Sequence, residues 1–275
     1  MNFFYNIVQC ELILIEGGDL MMNALFDLTG KIALITGSSQ GIGFGIARAL
    51  GQAGGTIILN GRDEGKLNRA VSTLSEEGLK AFSYSFDVTD SSRIDQRIST
   101  IEREMGPIDI LVNSAGIQRR GSLETIEESV WREVVETNLT AVLLISKRVV
   151  KGMIDRRFGK IINICSLMSE ISRPTIAPYT ASKGGMKMLT KAMAVEWAKY
   201  NIQVNGIGPG FIVTEMNKAL LEDQKFDAMV RSRTPAGRWG QPSDLAGTAI
   251  FLASPASDYI TGQIIYVEGG ILSAL

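Results

Sequence analysis

Four side chains stand at spacings that could move a proton without histidine. Tyr179 and Lys183 lie four residues apart at the start of a helical pattern, which puts the phenol and the ammonium on one helix face. A phenol is a poor base at neutral pH, but a neighbouring cation favours the phenolate and brings proton exchange into range. Ser166 ends an apolar run that precedes this helix, and Asn138 begins another helical pattern. A Tyr-x-x-x-Lys pair alone is usually just a surface helix, and it gains force from that company. The chain has no histidine and only two cysteines, Cys10 and Cys165. Imidazole bases, His-ligated or thiolate zinc and a disulfide scaffold are thereby excluded, no metal site is expected, and a reducing compartment is indicated.

A second constellation is rich in glycine. Thr36-Gly37-Ser38-Ser39-Gln40-Gly41-Ile42-Gly43 follows a β-rich run and opens a helical one. Such a turn lets backbone amides approach a pyrophosphate, and the helix N-terminus favours the negative charge. Gly37, Ser39, Gln40, Gly41, Ile42 and Gly43 are the expected phosphate-binding turn, with a purely structural turn as the alternative. Where the second strand should meet the adenine ribose, an acidic residue normally selects NAD; here the sequence reads Asn60-Gly61-Arg62. Without a carboxylate, and with a guanidinium two residues on, a 2′-phosphate is tolerated and paired, so NADP(H) is preferred and NAD(H) stays open. The alternative is that Arg62 caps or solvates the next helix; Gln40 removes one place for a second basic residue.

Holding these groups together requires alternating elements. From Lys31 onward, short β-rich runs (31–36, 56–60, 81–86, 108–112, 160–165, 202–207 and 263–267) alternate with helical patterns that include 42–53, 91–105, 137–156 and 179–200. This implies an α/β fold: a single doubly wound Rossmann-type domain over residues 23–275 with a central, mostly parallel seven-stranded sheet. The irregular stretch 211–239 is expected to form a lid. With 28 basic and 29 acidic residues, no strong field favours nucleic acid or an anionic membrane, so the partner is a small molecule. No apolar run reaches the roughly 18 residues of a membrane helix, and a cytoplasmic location is expected. Met1 to Ile15 is apolar but lacks a signal peptide's basic start and cleavage site. Because Glu16-Gly17-Gly18 can be encoded by a ribosome-binding sequence just upstream, translation is expected to start at Met21 or Met22, and residues 1–22 to be a non-native or disordered extension; a genuine arm is the alternative.

The glycine turn, Asn113-Ser114-Ala115-Gly116, Asn138, Ser166, Tyr179 with Lys183, and Pro209-Gly210 occur in an order that resembles the short-chain dehydrogenase/reductase family from Leu25 to Gly270. Ser114 replaces an asparagine common in the family, a change that affects loop hydrogen bonds rather than chemistry. The resemblance implies hydride transfer coupled to proton exchange at Tyr179, with Ser166 donating to the reacting oxygen. Lys183 would assist the tyrosine and hold the nicotinamide ribose, and Asn138 would help bind a water linking Lys183 to solvent. It further implies Asp87 and Val88 beside adenine, Asn113, Ala115 and Gly116 along the ribose, and Pro209, Gly210, Ile212 and Thr214 at the nicotinamide amide. Asp87 as a helix cap and Pro209-Gly210 as an ordinary turn are the plain alternatives. A homotetramer is implied as well, with the helices after Asn138 and Tyr179 at one interface and the C-terminal strand near another.

Stretches that neither the turn nor the hydride chemistry requires, such as Ala115-Gly116-Ile117-Gln118-Arg119-Arg120 and Arg238-Trp239-Gly240, resemble the branch of the family that interconverts D-gluconate and 5-keto-D-gluconate. A sugar acid needs a cationic anchor. Arg120 is favoured over Arg119, and Glu170 could bond sugar hydroxyls. Gly121-Ser122 stands where that branch has His-Pro, which leaves the exact hexonate and the oxidised carbon open. Reduction of another sugar acid or keto-acid, of 2-deoxy-3-ketogluconate or 3-oxoacyl type, is the alternative, followed by a non-catalytic NADP-sensing protein.

Overall fold

In the computed structural model, which describes residues 24–274, the β-rich runs become seven strands: β1 (Ile32–Ile35), β2 (Thr56–Gly61), β3 (Ala81–Ser85), β4 (Ile110–Asn113), β5 (Gly159–Ile164), β6 (Ile202–Pro209) and β7 (Ile264–Val267). The expected extension at residues 1–22 lies outside the described residues. All six strand pairings are parallel, in the order β3-β2-β1-β4-β5-β6-β7, so the sheet is more regular than the mostly parallel one expected. Strands β4, β5 and β6 are buried along their whole length, which is why they read as nearly continuous apolar runs without alternation. The chain proceeds outward from β1 to β3 on one side and from β4 to β7 on the other. The crevice where the order reverses lies at the carboxyl ends of β1 and β4, where open sheets of this kind bind ligands.

Alternate strand residues feed two cores. On one face Ala33, Ile35, Ile57 and Leu59 pack against α1 (Gly41–Gln52), α2 (Glu64–Glu76) and α9 (Ala246–Ala253). On the other, Leu34, Ile58, Leu111 and Ile161 meet α3 (Ser91–Met105), α5 (Ala141–Arg156) and α6 (Ala177–Trp197). In α3 the buried Ile94, Ile98 and Ile101 form the apolar stripe of an amphipathic helix. Helix α6 begins with Pro178, whose fixed φ and missing N–H suit a first turn.

The helical stretch expected over 137–156 begins earlier. It contains α4 (Glu128–Val135), a π turn at Glu136–Thr140 and then α5, without interruption. Asn138 therefore sits inside a π turn within a long helix rather than at a helix start. Such turns recur at functional sites because they re-aim a side chain without ending the helix. The expected lid, 211–239, folds as a 3₁₀ turn (Glu215–Asn217), α7 (Lys218–Leu221) and α8 (Gln224–Arg233). Its two ends are joined, since Val213 N donates to Gly240 O at 2.9 Å and Gly240 N to Phe211 O at 2.9 Å.

One charge is part of the scaffold. Lys160 of β5 is 1% exposed, and its Nζ donates to Asp258 Oδ1 at 2.7 Å and to Ser257 Oγ at 3.4 Å. Burial lowers the Lys160 pKa and the Asp258 partner partly restores it. Removing the carboxylate strands a buried cation, whereas removing both charges does not. Asp258→Ala is expected to destabilise the protein by roughly 1–3 kcal/mol, less than for a fully buried pair because Asp258 faces solvent. Lys160→Met combined with Asp258→Ala should recover much of that loss in denaturant unfolding.

Candidate active site

The chemical groups converge on a cleft at the sheet's carboxyl edge. Ser166, Tyr179 and Lys183 line it together with the glycine turn and the 209–217 segment. Ser166 lies just beyond β5, not within it, and caps a 3₁₀ turn (Leu167–Ser169) by accepting from Met168 N at 3.1 Å. Its O–H is thereby left to donate. The Tyr179 hydroxyl has no protein hydrogen-bond partner among the described residues, and its ring packs against the cluster of Leu167, Met168 and Ile176. Lys183 is 5% exposed; its Nζ lies 5.7 Å from the Tyr179 ring centroid and donates to Ile164 O at 2.6 Å. None of the ion pairs among the described residues supplies it with a carboxylate. A buried ammonium held by a carbonyl and aimed into a cleft marks a functional group, since structural lysines of this depth are paired.

Asn138 ties neighbouring segments together through its side chain. Its Oδ1 accepts from Ile117 N at 2.8 Å, and its Nδ2 donates to Ile117 O at 2.9 Å and to Ser182 Oγ at 3.1 Å. The side-chain amide is therefore engaged by protein through both its oxygen and its nitrogen. Ser182 in turn donates to Tyr179 O at 2.7 Å. Ser182 was missed in the sequence because a serine inside Tyr-x-x-Ser-Lys reads as filler. Cys165 also borders the cleft, but burial pushes its thiol up to about 11, against the opposing charge of Lys183, so it is no nucleophile at neutral pH.

The cofactor end runs from the glycine turn to the tips of β2 and β3. Gly37, Gln40, Gly41, Ile42, Gly43, Ala115 and Gly116 border the main cleft, as do Pro209, Gly210, Ile212 and Thr214. Ser39, Asn60, Arg62, Asp87 and Val88 line an adjoining cavity that shares Gly37, Gln40, Ala115 and Gly116 with the cleft. Helix α1 starts here with no side-chain cap and no acidic residue in its first turn, so its N-terminal amides are free to meet an anion. The glycines also serve the protein itself: a Cβ on Gly37, at φ +61, would lie 2.6 Å from Ala115 Cα. Asn60 is fully buried, donates to Tyr84 O and Phe86 O, and keeps Oδ1 without a partner. An orphaned acceptor on that cavity, an uncapped helix and a guanidinium fit a dinucleotide phosphate and its nucleoside.

The capping readings of Arg62 and Asp87 fall away. Helix α2 is capped by Asp63, not Arg62, and α3 by Asp90, not Asp87. Asp87 Oδ1 instead holds Thr89, while Arg62 Nη1 lies 3.7 Å from Asp87 Oδ2. Lys66 reaches the same cavity and supplies the second basic residue that Gln40 does not; one turn into a helix, it gave no signal of its own. The Asn113 side chain is buried and donates to Ser146 Oγ and Asn163 Oδ1, while its own Oδ1 has no partner among the described residues.

The expected substrate residues separate. Arg119 is held by Glu133 through two bonds of 3.0 and 2.7 Å, which leaves Arg120 as the available guanidinium of the pair. Glu170 is already committed: it accepts from Lys187 and from the Tyr266 hydroxyl, and the Lys187 contact foremost holds its carboxyl below the usual range. Neither arginine nor Glu170 lines the main cleft, whereas Gln118, Met216 and Asn217, not singled out in the sequence, do.

Truncating Asn138 tests this geometry. Asn138→Ala leaves both Ile117 backbone groups without their partner and takes one of two bonds from Ser182, and is expected to lower stability by about 1–3 kcal/mol. Thermal unfolding of the variant beside Ser182→Ala, which removes one bond of the set, measures it.

A family model described as enoyl-(acyl carrier protein) reductase matches residues 37–272. The chain is 51% identical over 254 residues to a 5-keto-D-gluconate 5-reductase of Escherichia coli (strain K12), covering 92% of this chain and 100% of the relative. It is 49% identical over 253 residues to a 2-dehydro-3-deoxy-D-gluconate 5-dehydrogenase of Formosa agariphila, covering 91% and 96%. Among solved structures, a gluconate 5-dehydrogenase from Burkholderia cenocepacia J2315 in complex with NADP and tartrate matches with a TM-score of 0.90 and 48% identity, over 92% of this chain and 100% of that one. The parallel sheet and these relatives agree: the chain belongs to the short-chain dehydrogenase/reductase family of oxidoreductases.

Proposed function

We propose that the protein is an NADP(H)-dependent oxidoreductase that interconverts D-gluconate and 5-keto-D-gluconate, with Tyr179 exchanging the proton. The observation that carries the reading is the pairing of an unpartnered Tyr179 hydroxyl and a donor-ready Ser166 with a buried, carboxylate-free Lys183 in one cleft. Its named relatives act on gluconate and its keto forms, which supports the substrate class.

The glycine turn and the N-terminus of α1 would hold the cofactor's pyrophosphate, Asn60, Arg62, Lys66 and Asp87 its adenosine end, and Lys183 with the 209–214 segment its nicotinamide end. When bound, the cofactor supplies or accepts the hydride. The chain's own residues manage the oxygen. During reduction, Ser166 Oγ–H donates to the carbonyl oxygen and steadies the charge that develops there, and Tyr179 delivers its hydroxyl proton to that oxygen. The Lys183 ammonium stabilises the resulting phenolate, and solvent reached through the Asn138 π turn returns the proton. Oxidation runs the same transfers backward, with Tyr179 as base.

Arg120 is assigned the substrate carboxylate, a role supported by the sequestration of Arg119. NADP is preferred over NAD because Arg62 and Lys66 share one cavity and the tip of β2 carries no acidic residue. A homotetramer is supported by exposed apolar side chains on the two helices expected at an interface: Leu143 on α5, and Met188 and Val195 on α6. Sedimentation giving only monomer would remove that part of the proposal.

Tyr179→Phe is expected to retain NADPH binding while lowering kcat by about 10²–10⁴-fold; wild-type turnover would refute the proton assignment. NADPH oxidation with 5-keto-D-gluconate, beside 2-dehydro-3-deoxy-D-gluconate and an acetoacetyl thioester, tests the substrate, and turnover confined to one of the others moves the assignment there. Arg62→Ala should raise the KM for NADPH by about tenfold and that for NADH much less, which corresponds to about 1.4 kcal/mol of phosphate recognition.

A further inference from the structure

A second arginine lies on a loop that is bonded to the loop of Arg120. Arg173 lies on the loop between the 3₁₀ turn at Leu167–Ser169 and α6, and that loop is joined to the Arg120 loop by Gly121 N donating to Thr175 O at 3.1 Å. Burial, and then the charge of Arg120, disfavours the Arg173 cation, so the two guanidinium groups stand close enough to repel. Among the described residues neither has an acidic partner in an ion pair, unlike Arg119, which is taken by Glu133. The nearby carboxylate of Glu170 is engaged elsewhere. The backbone joining the loops is strained, with Thr175, a β-branched residue, at φ 71. A fold that holds two like charges together through a strained connection, with no anion of its own between them, has the form of an anion clamp.

Arg173 also reports to the lid. Its Cζ lies 5.3 Å from the centroid of the Phe226 ring on α8, within cation–π range. Phe226 meets Phe211 edge-on at 5.7 Å, and Phe211 packs in the cluster that holds Tyr179. Arg173 is therefore linked through two aromatic rings to the apolar cluster of Leu167, Met168 and Ile176, against which Tyr179 also packs. We infer that Arg173, together with Arg120, clamps the carboxylate of the acid substrate, and that its stacking on Phe226 places the lid over the cleft when the anion is bound. This assignment rests on the sugar-acid reading above and adds to it a specificity-determining residue outside the family's chemical motif.

Arg173→Gln and Arg173→Lys test it, each assayed with NADPH on 5-keto-D-gluconate and on L-sorbose, a neutral ketose. Titration calorimetry of the NADP-loaded protein with tartrate, a small dicarboxylate, is run beside them. The glutamine variant is expected to raise KM for the acid tenfold or more with a smaller change in kcat, to lower the acid-to-neutral ratio of kcat/KM by at least tenfold, and to weaken tartrate binding to match. The lysine variant should fall between it and wild type, which separates loss of charge from misfolding. If wild type reduces no sugar acid but binds tartrate, and the glutamine variant weakens that binding tenfold, the substrate reading fails while the clamp stands. Unchanged KM and tartrate affinity, equal losses on acid and neutral substrates, or a wild type that binds no tartrate would each overturn the clamp.

Discussion

Lys183 is a cation buried without a carboxylate, and the walls of the cleft are arranged around that fact. Taking an ammonium out of water has an effective penalty of several kcal/mol unless polar groups replace the lost hydration. Here the replacement begins with the Ile164 carbonyl at the tip of β5, which is available because the strand stops there and Ser166 turns the chain into a 3₁₀ turn. Ser169 of that same turn donates back to the Lys183 carbonyl at 2.9 Å, tying the helix to the strand end. Beneath lies a buried polar chain: Asn113 donates to Asn163, and Asn163 to Thr190 on α6. Hydrogen bonds of this kind inside an apolar sheet cross-link β4, β5 and α6, so the lysine's position is fixed by polar contacts from several elements.

The glycine turn is under a similar double demand. Its flexibility suggests a loop shaped for a ligand, but much of the need for glycine comes from the protein's own packing, since the turn lies against Ala115 and the start of α1 folds back on the Gly37 carbonyl. Thr36 makes the junction rigid: its hydroxyl accepts from Ser114 N and Ala115 N at 3.0 and 3.1 Å, joining the ends of β1 and β4. The amides of the turn are therefore presented in a shape that the protein's own packing sets, which reduces the ordering that binding any ligand there would impose.

Much of this was legible in the sequence because the fold repeats one simple pattern. Strands buried on both faces announce themselves as apolar runs, and the groups that do chemistry sit where those runs stop, so the Ser166, Tyr179, Lys183 and glycine-turn positions could be placed without coordinates. What escaped depends on tertiary contact. Asn138 gave no sign that a π turn would spend its amide on Ile117, because the turn is fixed by packing between α4 and α6 and not by local preference. Lys66 and Ser182 are ordinary helix residues until the fold brings a cavity or an asparagine to them. Glu170 read as a free carboxylate because its partners, Lys187 and Tyr266, lie on a helix and a strand distant in the chain.

The arginines show how charge is apportioned once the strands have set the geometry. Adjacent guanidinium groups at 119 and 120 cannot be told apart by composition, yet in the fold only one of them meets Glu133. The other is turned toward a loop that could have relaxed but does not. Holding a threonine in the left-handed region costs on the order of 1–3 kcal/mol. The loop keeps that conformation because Thr175 O is bonded to Gly121 N on one side while Ile176, the next residue, is buried against the Tyr179 cluster on the other. The Arg120 and Arg173 loops therefore form a single unit with the first turn of α6, which fixes the distance between the cations and the phenol. The 211–239 segment is built separately, with its ends pinned together at Phe211, Val213 and Gly240 and with an aromatic cluster of Phe211, Phe226 and Trp239 as its interior.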